Sequence, residues 1–211
     1  MDTPMSDDTG RQQHWDDVYT QRAPTEVSWF EMQPLRSLQA IEATEIDKSS
    51  PIIDVGGGAS TLVDELVKRG FRDLTVLDIS ATVLANVASR LGPAGRNVQI
   101  IRQDITQFRP TRTYGLWHDR AVFHFLTQPQ DRGAYRSALL AGTVPGSHVV
   151  IATFGPQGPL RCSGLATCRY DASGLARALG EQFELVDWMV DVHSTPGGGQ
   201  QQFLHTRFIR T

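Results

Sequence analysis

From residue 50 onward, short apolar runs alternate with segments whose apolar residues recur every three or four positions. Ile52, Ile53, Asp54 and Val55 form a run that ends in Gly56, Gly57 and Gly58, the pattern of a buried strand and a tight turn. A helix follows: Ser60 or Thr61 caps it, Leu62, Val63, Leu66 and Val67 supply its buried stripe, and Gly70 stops it. Residues 74–78 read as a second strand, and Ser80 caps a helix carrying Val83, Leu84, Val87 and Leu91 that Gly92 and Pro93 end. Strands over 98–101, 114–118 and 147–154, with a helix over about 130–141, continue the alternation. This spacing implies right-handed crossovers and a parallel sheet covered on both faces, a doubly wound α/β domain.

The end of the chain breaks the alternation. After a helix that Asp171 caps and Gly180 closes, residues 183–193 and 202–210 are strand-like runs joined by 194–199. So short a link, rich in Pro and Gly, forces antiparallel pairing, because a parallel pair needs a crossover of a dozen or more residues. At the other end, residues 1–13 are polar, with Asp2, Asp7 and Asp8, and predict a flexible tail. Residues 14–211 then form one domain, 14–48 as an N-terminal lid segment and 50–211 as the core. In the lid segment, Trp15, Val18, Tyr19, Val27, Trp29 and Phe30 must pack on something, and Leu35, Leu38 and Ile41 mark a helix over 34–45.

Composition removes several function classes. A chain of 211 residues with 40% hydrophobic content holds one full-sized core. Twenty bases against 23 acids give a net charge of −3, which lacks the concentrated positive charge that nucleic acid or an anionic membrane surface requires. No run of 18 apolar residues occurs, and the acidic, polar start does not read as a secretory signal, so the cytoplasm is expected. The two cysteines, Cys162 and Cys168, fit a reducing compartment. Two thiols without further ligands nearby do not make a structural zinc site, and no metal is expected.

The first strand and its glycine turn carry the candidate chemistry. In an open α/β sheet, ligands bind beyond the carboxyl ends of the strands. Glycines at Gly56 and Gly58 let the backbone approach a ligand, and Asp78 ends the second strand 20 residues after Gly58, where an acid accepts hydrogen bonds from ribose hydroxyls. The dinucleotide fingerprint would need a third glycine where Thr61 stands, which disfavours NAD.

Asp54-x-Gly56-x-Gly58, then Asp78 with Ile79, then Asp104 with Ile105, together resemble the motifs of the class I S-adenosylmethionine-dependent methyltransferases. The resemblance covers nearly the whole chain from residue 50. It implies a seven-stranded Rossmann-like sheet of order 3-2-1-4-5-7-6 with the last strand antiparallel. It also implies that the methionine end of S-adenosylmethionine lies near Asp54 to Gly58, that Asp78 holds the ribose, and that Asp104 reaches the adenine amino group while Ile79 and Ile105 sandwich the ring.

The end of the fourth strand, residues 117–125, falls beside the methyl group in that arrangement. Instead of the Asn-Pro-Pro-aromatic run common at amine-modifying sites, it carries Asp119-Arg120. Asp119-Arg120-Ala121, Pro129 to Arg132, Tyr135 and Gly155-Pro156, with Trp15 to Phe30 as a lid, resemble thiopurine methyltransferase and its thiol-methylating relatives. That resemblance implies a small thiol or related chalcogen acceptor. Arg120 would then hold the thiolate by lowering a thiol pKa of about 8.5, and His124, four residues on, would accept a proton or else pack as an ordinary buried histidine. Asp119 and the lid residue Trp29 are expected beside the cofactor. His193, Arg169 and Tyr170 are secondary candidates at the acceptor. A Trp-Asp-x-x-Tyr opening followed by Trp-Phe also resembles methyltransferases that modify lysines of elongation factors, so a protein-lysine substrate stays open, as does a non-catalytic nucleoside-binding module.

Overall fold

The computed structural model describes residues 8–211. Its sheet has seven strands, β1 (Ile52–Val55), β2 (Leu74–Asp78), β3 (Val98–Arg102), β4 (Leu116–Arg120), β5 (His148–Phe154), β8 (Phe183–Ser194) and β9 (Gln200–Arg210), in the order β3-β2-β1-β4-β5-β9-β8. The first five are parallel, while β9 runs antiparallel to both β5 and β8. This is the strand order expected from the sequence, the two strands of the terminal hairpin being the sixth and seventh of the sheet. A two-stranded hairpin, β6 (Arg161–Cys162) with β7 (Leu165–Ala166), interrupts the chain after β5 and was not foreseen.

Helices cover both faces because successive strand residues point in opposite directions. Ile53, Val55, Trp117 and Ile151 pack with Tyr135 and Leu139 of α5 (Pro129–Ala141) and Leu175 and Leu179 of α6 (Ala172–Leu179). Ile52, Val76, Leu116 and Val150 pack with α2 (Leu35–Glu42), α3 (Leu62–Lys68) and α4 (Ala81–Leu91). The expected caps form: Ser80 accepts from the Val83 N–H and Asp171 from the Gly174 N–H. None of the described helices is long and apolar enough to cross a membrane.

Three boundaries move. Residues 8–13 are not tail but the start of α1 (Asp8–Gln21), and the remainder of the expected tail, 1–7, lies outside the described residues. Its first half is polar and gives no apolar signal; Trp15 and Tyr19 in its second half pack with Val27, Ala59 and Val83, and Asp16 accepts from the Ser80 hydroxyl at 2.6 Å and the Thr82 N–H at 3.3 Å. Helix α2 is shorter than 34–45, because Glu45 adopts a left-handed φ of 53°. Strand β4 starts at Leu116, since the Tyr114 N–H bonds Gly142 at the end of α5 instead of joining the sheet. That shift brings Asp119 and Arg120 into the strand.

Candidate functional site

A cavity of about 600 Å³ opens at the carboxyl ends of β1, β2, β3 and β4, a size that suits a cofactor with a small second ligand. Its floor is Val55, Gly56, Leu77, Asp78, Ile79, Asp104 and Ile105. Its roof is α1 and the following loop, through Arg11, Trp15, Tyr19 and Trp29, and its far wall is Ala121 to Gln128 with the β6–β7 hairpin. Gly56 has a φ of 69°, and a Cβ there would run into Val122, so only glycine turns the chain under the cavity.

The two acids placed on the nucleoside by sequence both line this cavity. Asp78 is buried, its Oδ2 accepting from the Gly58 N–H at 3.1 Å and its Oδ1 from the Ser80 N–H at 3.0 Å. Burial pushes its pKa up to about 6, against the pull of those two N–H groups. Asp104 accepts from the Thr106 N–H at 2.7 Å and hydroxyl at 2.8 Å through Oδ1, and from Arg11 Nε at 2.6 Å through Oδ2. Ile79 and Ile105 sit beside them on the wall.

Asp54 lies next door, on a small pocket shared with Trp29, Glu31, Gly56, Gly57, His118 and Arg120. Three buried polar atoms without a hydrogen-bond partner belong to residues of this pocket: Asp54 Oδ2, Glu31 Oε2 and Arg120 Nε. Two acceptors and one cationic donor are the complement of an α-amino acid's ammonium and carboxylate. The residues present therefore fit S-adenosylmethionine: sugar and adenine acids on the large cavity, an amino-acid subsite on the small one, and a glycine turn between them.

Arg120 lines both pockets, but its charge is not free. Its Nη1 donates to the Trp29 carbonyl at 2.7 Å and its Nη2 to Glu31 Oε1 at 2.8 Å. Sequence alone did not single out Glu31. It lies 89 residues from Arg120, and only the folded lid brings the two together. His193 supports the same loop, 2.8 Å from the Ser28 carbonyl through Nε2 and 3.5 Å from Glu31 through Nδ1.

Two assignments are corrected. Asp119 does not line the cavity; it is fully buried, and its Oδ1 accepts from the Val122 N–H at 3.0 Å and the Phe123 N–H at 3.4 Å, shaping the turn after β4. His124 does not share the wall with Arg120, because Ala121 takes a φ of 72° and a short 3₁₀ turn follows instead of an α-helix. Its ring stacks on Phe154 at 4.2 Å, and its Nδ1 accepts from the Phe154 N–H at 3.1 Å. Burial, then the charge of Arg120, lowers its pKa to about 3. Tyr170 packs against Phe123, and buried Cys162 lies 3.6 Å from the Ser28 hydroxyl.

Residues 52–141 match the methyltransferase domain family. The match runs from β1 to the end of α5 and so contains every residue on the floor of the cavity. Over its full length the chain is similar to a protein solved in work on the conversion of a disulfide bond into a thioacetal group during echinomycin biosynthesis. The TM-score is 0.76 at 17% identity, covering 94% of this chain and 91% of the other. The N-methyltransferase NodS from Bradyrhizobium japonicum WM9, in complex with S-adenosyl-L-homocysteine, aligns with a TM-score of 0.70 at 17% identity over 92% of this chain and 97% of its own. By sequence, EEF1A lysine methyltransferase 2 of Danio rerio is 25% identical over 134 residues, 58% of each chain. The chain spans less than two thirds of the length of the curated relatives it matches. The structural likeness shows the fold, the Rossmann-like architecture of S-adenosylmethionine-dependent methyltransferases.

Proposed function

We propose that this chain is an S-adenosylmethionine-dependent methyltransferase acting on a small acceptor that brings its own unprotonated nucleophile, a thiolate or related chalcogen. When bound, the cofactor supplies a methyl group on a sulfonium, open to in-line displacement, so the protein has chiefly to align the nucleophile. Asp78 holds the ribose, Asp104 with Ile79 and Ile105 the adenine, and Asp54, Glu31 and Arg120 the amino-acid end.

The observation that carries the acceptor reading is the chemistry of the remaining wall. Trp15, Tyr19, Trp29 and Phe125 face the cavity with Ala121, Leu165 and Ala166, and none of them takes up a proton at neutral pH. Burial raises the Tyr19 pKa well above its usual value, so it stays protonated, and His124 lies behind the wall. Asp78, Asp104 and Asp131 are each committed to donors within the protein. Arg120 and Arg161 border this wall, which suits an anionic nucleophile, although Glu31 offsets much of the Arg120 charge. One structural neighbour was solved in work on the conversion of a disulfide bond into a thioacetal group, a sulfur chemistry.

A protein lysine is the second reading, favoured by the zebrafish lysine methyltransferase. Incubation with cofactor labelled in the methyl group, a panel of aryl and alkyl thiols, and a cell lysate separates the two. Label in the small-molecule fraction supports the thiol reading; label in protein bands alone replaces it with the lysine reading. Cofactor binding without transfer to either leaves a nucleoside-binding module.

A further inference from the structure

Ser37 of α2, His118 of β4 and Asp54 of β1 form a buried line of hydrogen bonds. His118 Nδ1 lies 2.7 Å from Asp54 Oδ1 and its Nε2 lies 2.8 Å from the Ser37 hydroxyl. All three residues are at most 3% exposed. A carboxylate only accepts, so the ring donates from Nδ1, and Nε2 shares a hydrogen bond with the Ser37 hydroxyl. The arrangement has the order of a hydrolytic triad but not its access. Ser37 lines neither pocket, and its hydroxyl is directed at the ring, whereas Asp54 and His118 both border the small one.

The line therefore acts inward, on Asp54. Burying a serine, a histidine and an aspartate together is costly unless their hydrogen bonds are made. Here those between the three residues are, while Asp54 Oδ2 remains buried and without a partner beside Glu31 Oε2 and Arg120 Nε. Gly57 packs directly on that carboxylate, where a Cβ would collide with it. With Oδ1 tied to His118 and Gly57 against Oδ2, the carboxylate has one orientation, on a residue that borders the small pocket.

We propose that Ser37 and His118 are positioning residues that set Asp54 to take the ammonium of the cofactor's amino-acid end. The proposal rests on the cofactor reading above and adds a specificity: the protein distinguishes a nucleoside that carries an amino-acid tail from the same nucleoside without one. Neither residue touches the ligand; both act through the carboxylate of Asp54.

The test is equilibrium binding of two probes by calorimetry, S-adenosylhomocysteine and 5′-deoxy-5′-methylthioadenosine, which lacks the amino-acid end. His118→Leu is expected to weaken the first by about tenfold or more, the scale of a hydrogen bond to a charged group, and to leave the second within about twofold. His118→Asn, whose amide N–H can stand in for Nδ1–H, is expected to restore most of the loss. Equal weakening of both probes, or of neither, overturns the proposal. If His118→Leu does not fold, Ser37→Ala decides by the same comparison, with thermal unfolding as the check on its fold. Wild-type protein that binds neither probe would instead remove the cofactor reading itself.

Discussion

Arg11 and Asp104 are 93 residues apart in the chain and 2.6 Å apart in the structure. The guanidinium also reaches the Thr106 hydroxyl at 3.0 Å and Asp131 at 3.4 Å, so one side chain of α1 joins the third strand's exit to α5 across one end of the cavity. Its partner Asp104 is almost wholly buried, where a charge-assisted hydrogen bond is strong and its loss leaves a desolvated oxygen.

Arg11→Ala is therefore expected to cost about 1–3 kcal/mol of stability. It should also raise amide hydrogen exchange through residues 8–21 ahead of the rest of the fold. Exchange resolved by mass spectrometry checks this; unchanged rates in α1 would mean that the Asp16 contacts and the packing of Trp15 and Tyr19 hold the roof without Arg11.

Asp78 gives a pH dependence with a definite sign. In the empty protein burial raises its pKa to about 6, and in the proposed binding mode ribose hydroxyls donate to the ionised form. Affinity for S-adenosylhomocysteine should be level above about pH 7 and fall toward tenfold per pH unit below about pH 6, as the carboxylate takes up a proton. Asp78→Asn should bind more weakly and show no such fall. Titration calorimetry between pH 5 and pH 8, as chosen conditions, distinguishes the two curves.

Gly58 is a tight point of the turn. A Cβ there meets Val83 Cγ1 and comes 2.9 Å from Asp78 Oδ2, disturbing the α4 packing and the Asp78 carboxylate together. Gly58→Ala should destabilise the fold by about 1–3 kcal/mol through overpacking and weaken nucleoside binding beyond what Gly92→Ala does. Gly92 is the apt control because a Cβ there meets nothing within 4 Å, although its φ of 49° brings strain of its own. Urea unfolding and nucleoside titration of both variants measure the difference.

The sheet was legible because its strands are apolar runs punctuated by glycine and capping residues, signals that lie within a few positions of one another. Asp78, Asp104 and the glycine turn were legible for the same reason, each being fixed by its place at a strand end. Arg11, Glu31, Ser37 and His118 were not. Arg11 sits in the polar first turns of α1, and each of these residues has its partner at least 64 positions away. Asp119 and His124 misled because the backbone leaves helical geometry at Ala121, whose positive φ no local composition signals. That turn sends the histidine into the core instead of the cavity.

The buried histidines and acids oppose one another in acid. For His124 and His205, burial and then the Arg120 charge bring the folded pKa down to about 3. Their neutral forms favour the fold above the unfolded value of about 6.5, and that contribution is lost as pH falls toward 3. Asp78 and Asp119 run the other way: burial raises both to about 6, so their protonated forms favour the fold at low pH and that contribution is lost as pH rises through 6. Between about pH 6.5 and pH 4 these two pairs offset one another, while His14, His148 and His193, lowered chiefly by burial, add to the loss of stability in acid. Asp119→Asn keeps an oxygen for the Val122 and Phe123 N–H groups but removes one titrating acid. The histidines should then dominate, and the urea midpoint of the variant should fall between pH 7 and pH 5 by more than that of the wild type. A variant whose midpoint moves in parallel with the wild type would mean that Asp119 gains no protonation on acidification in this range.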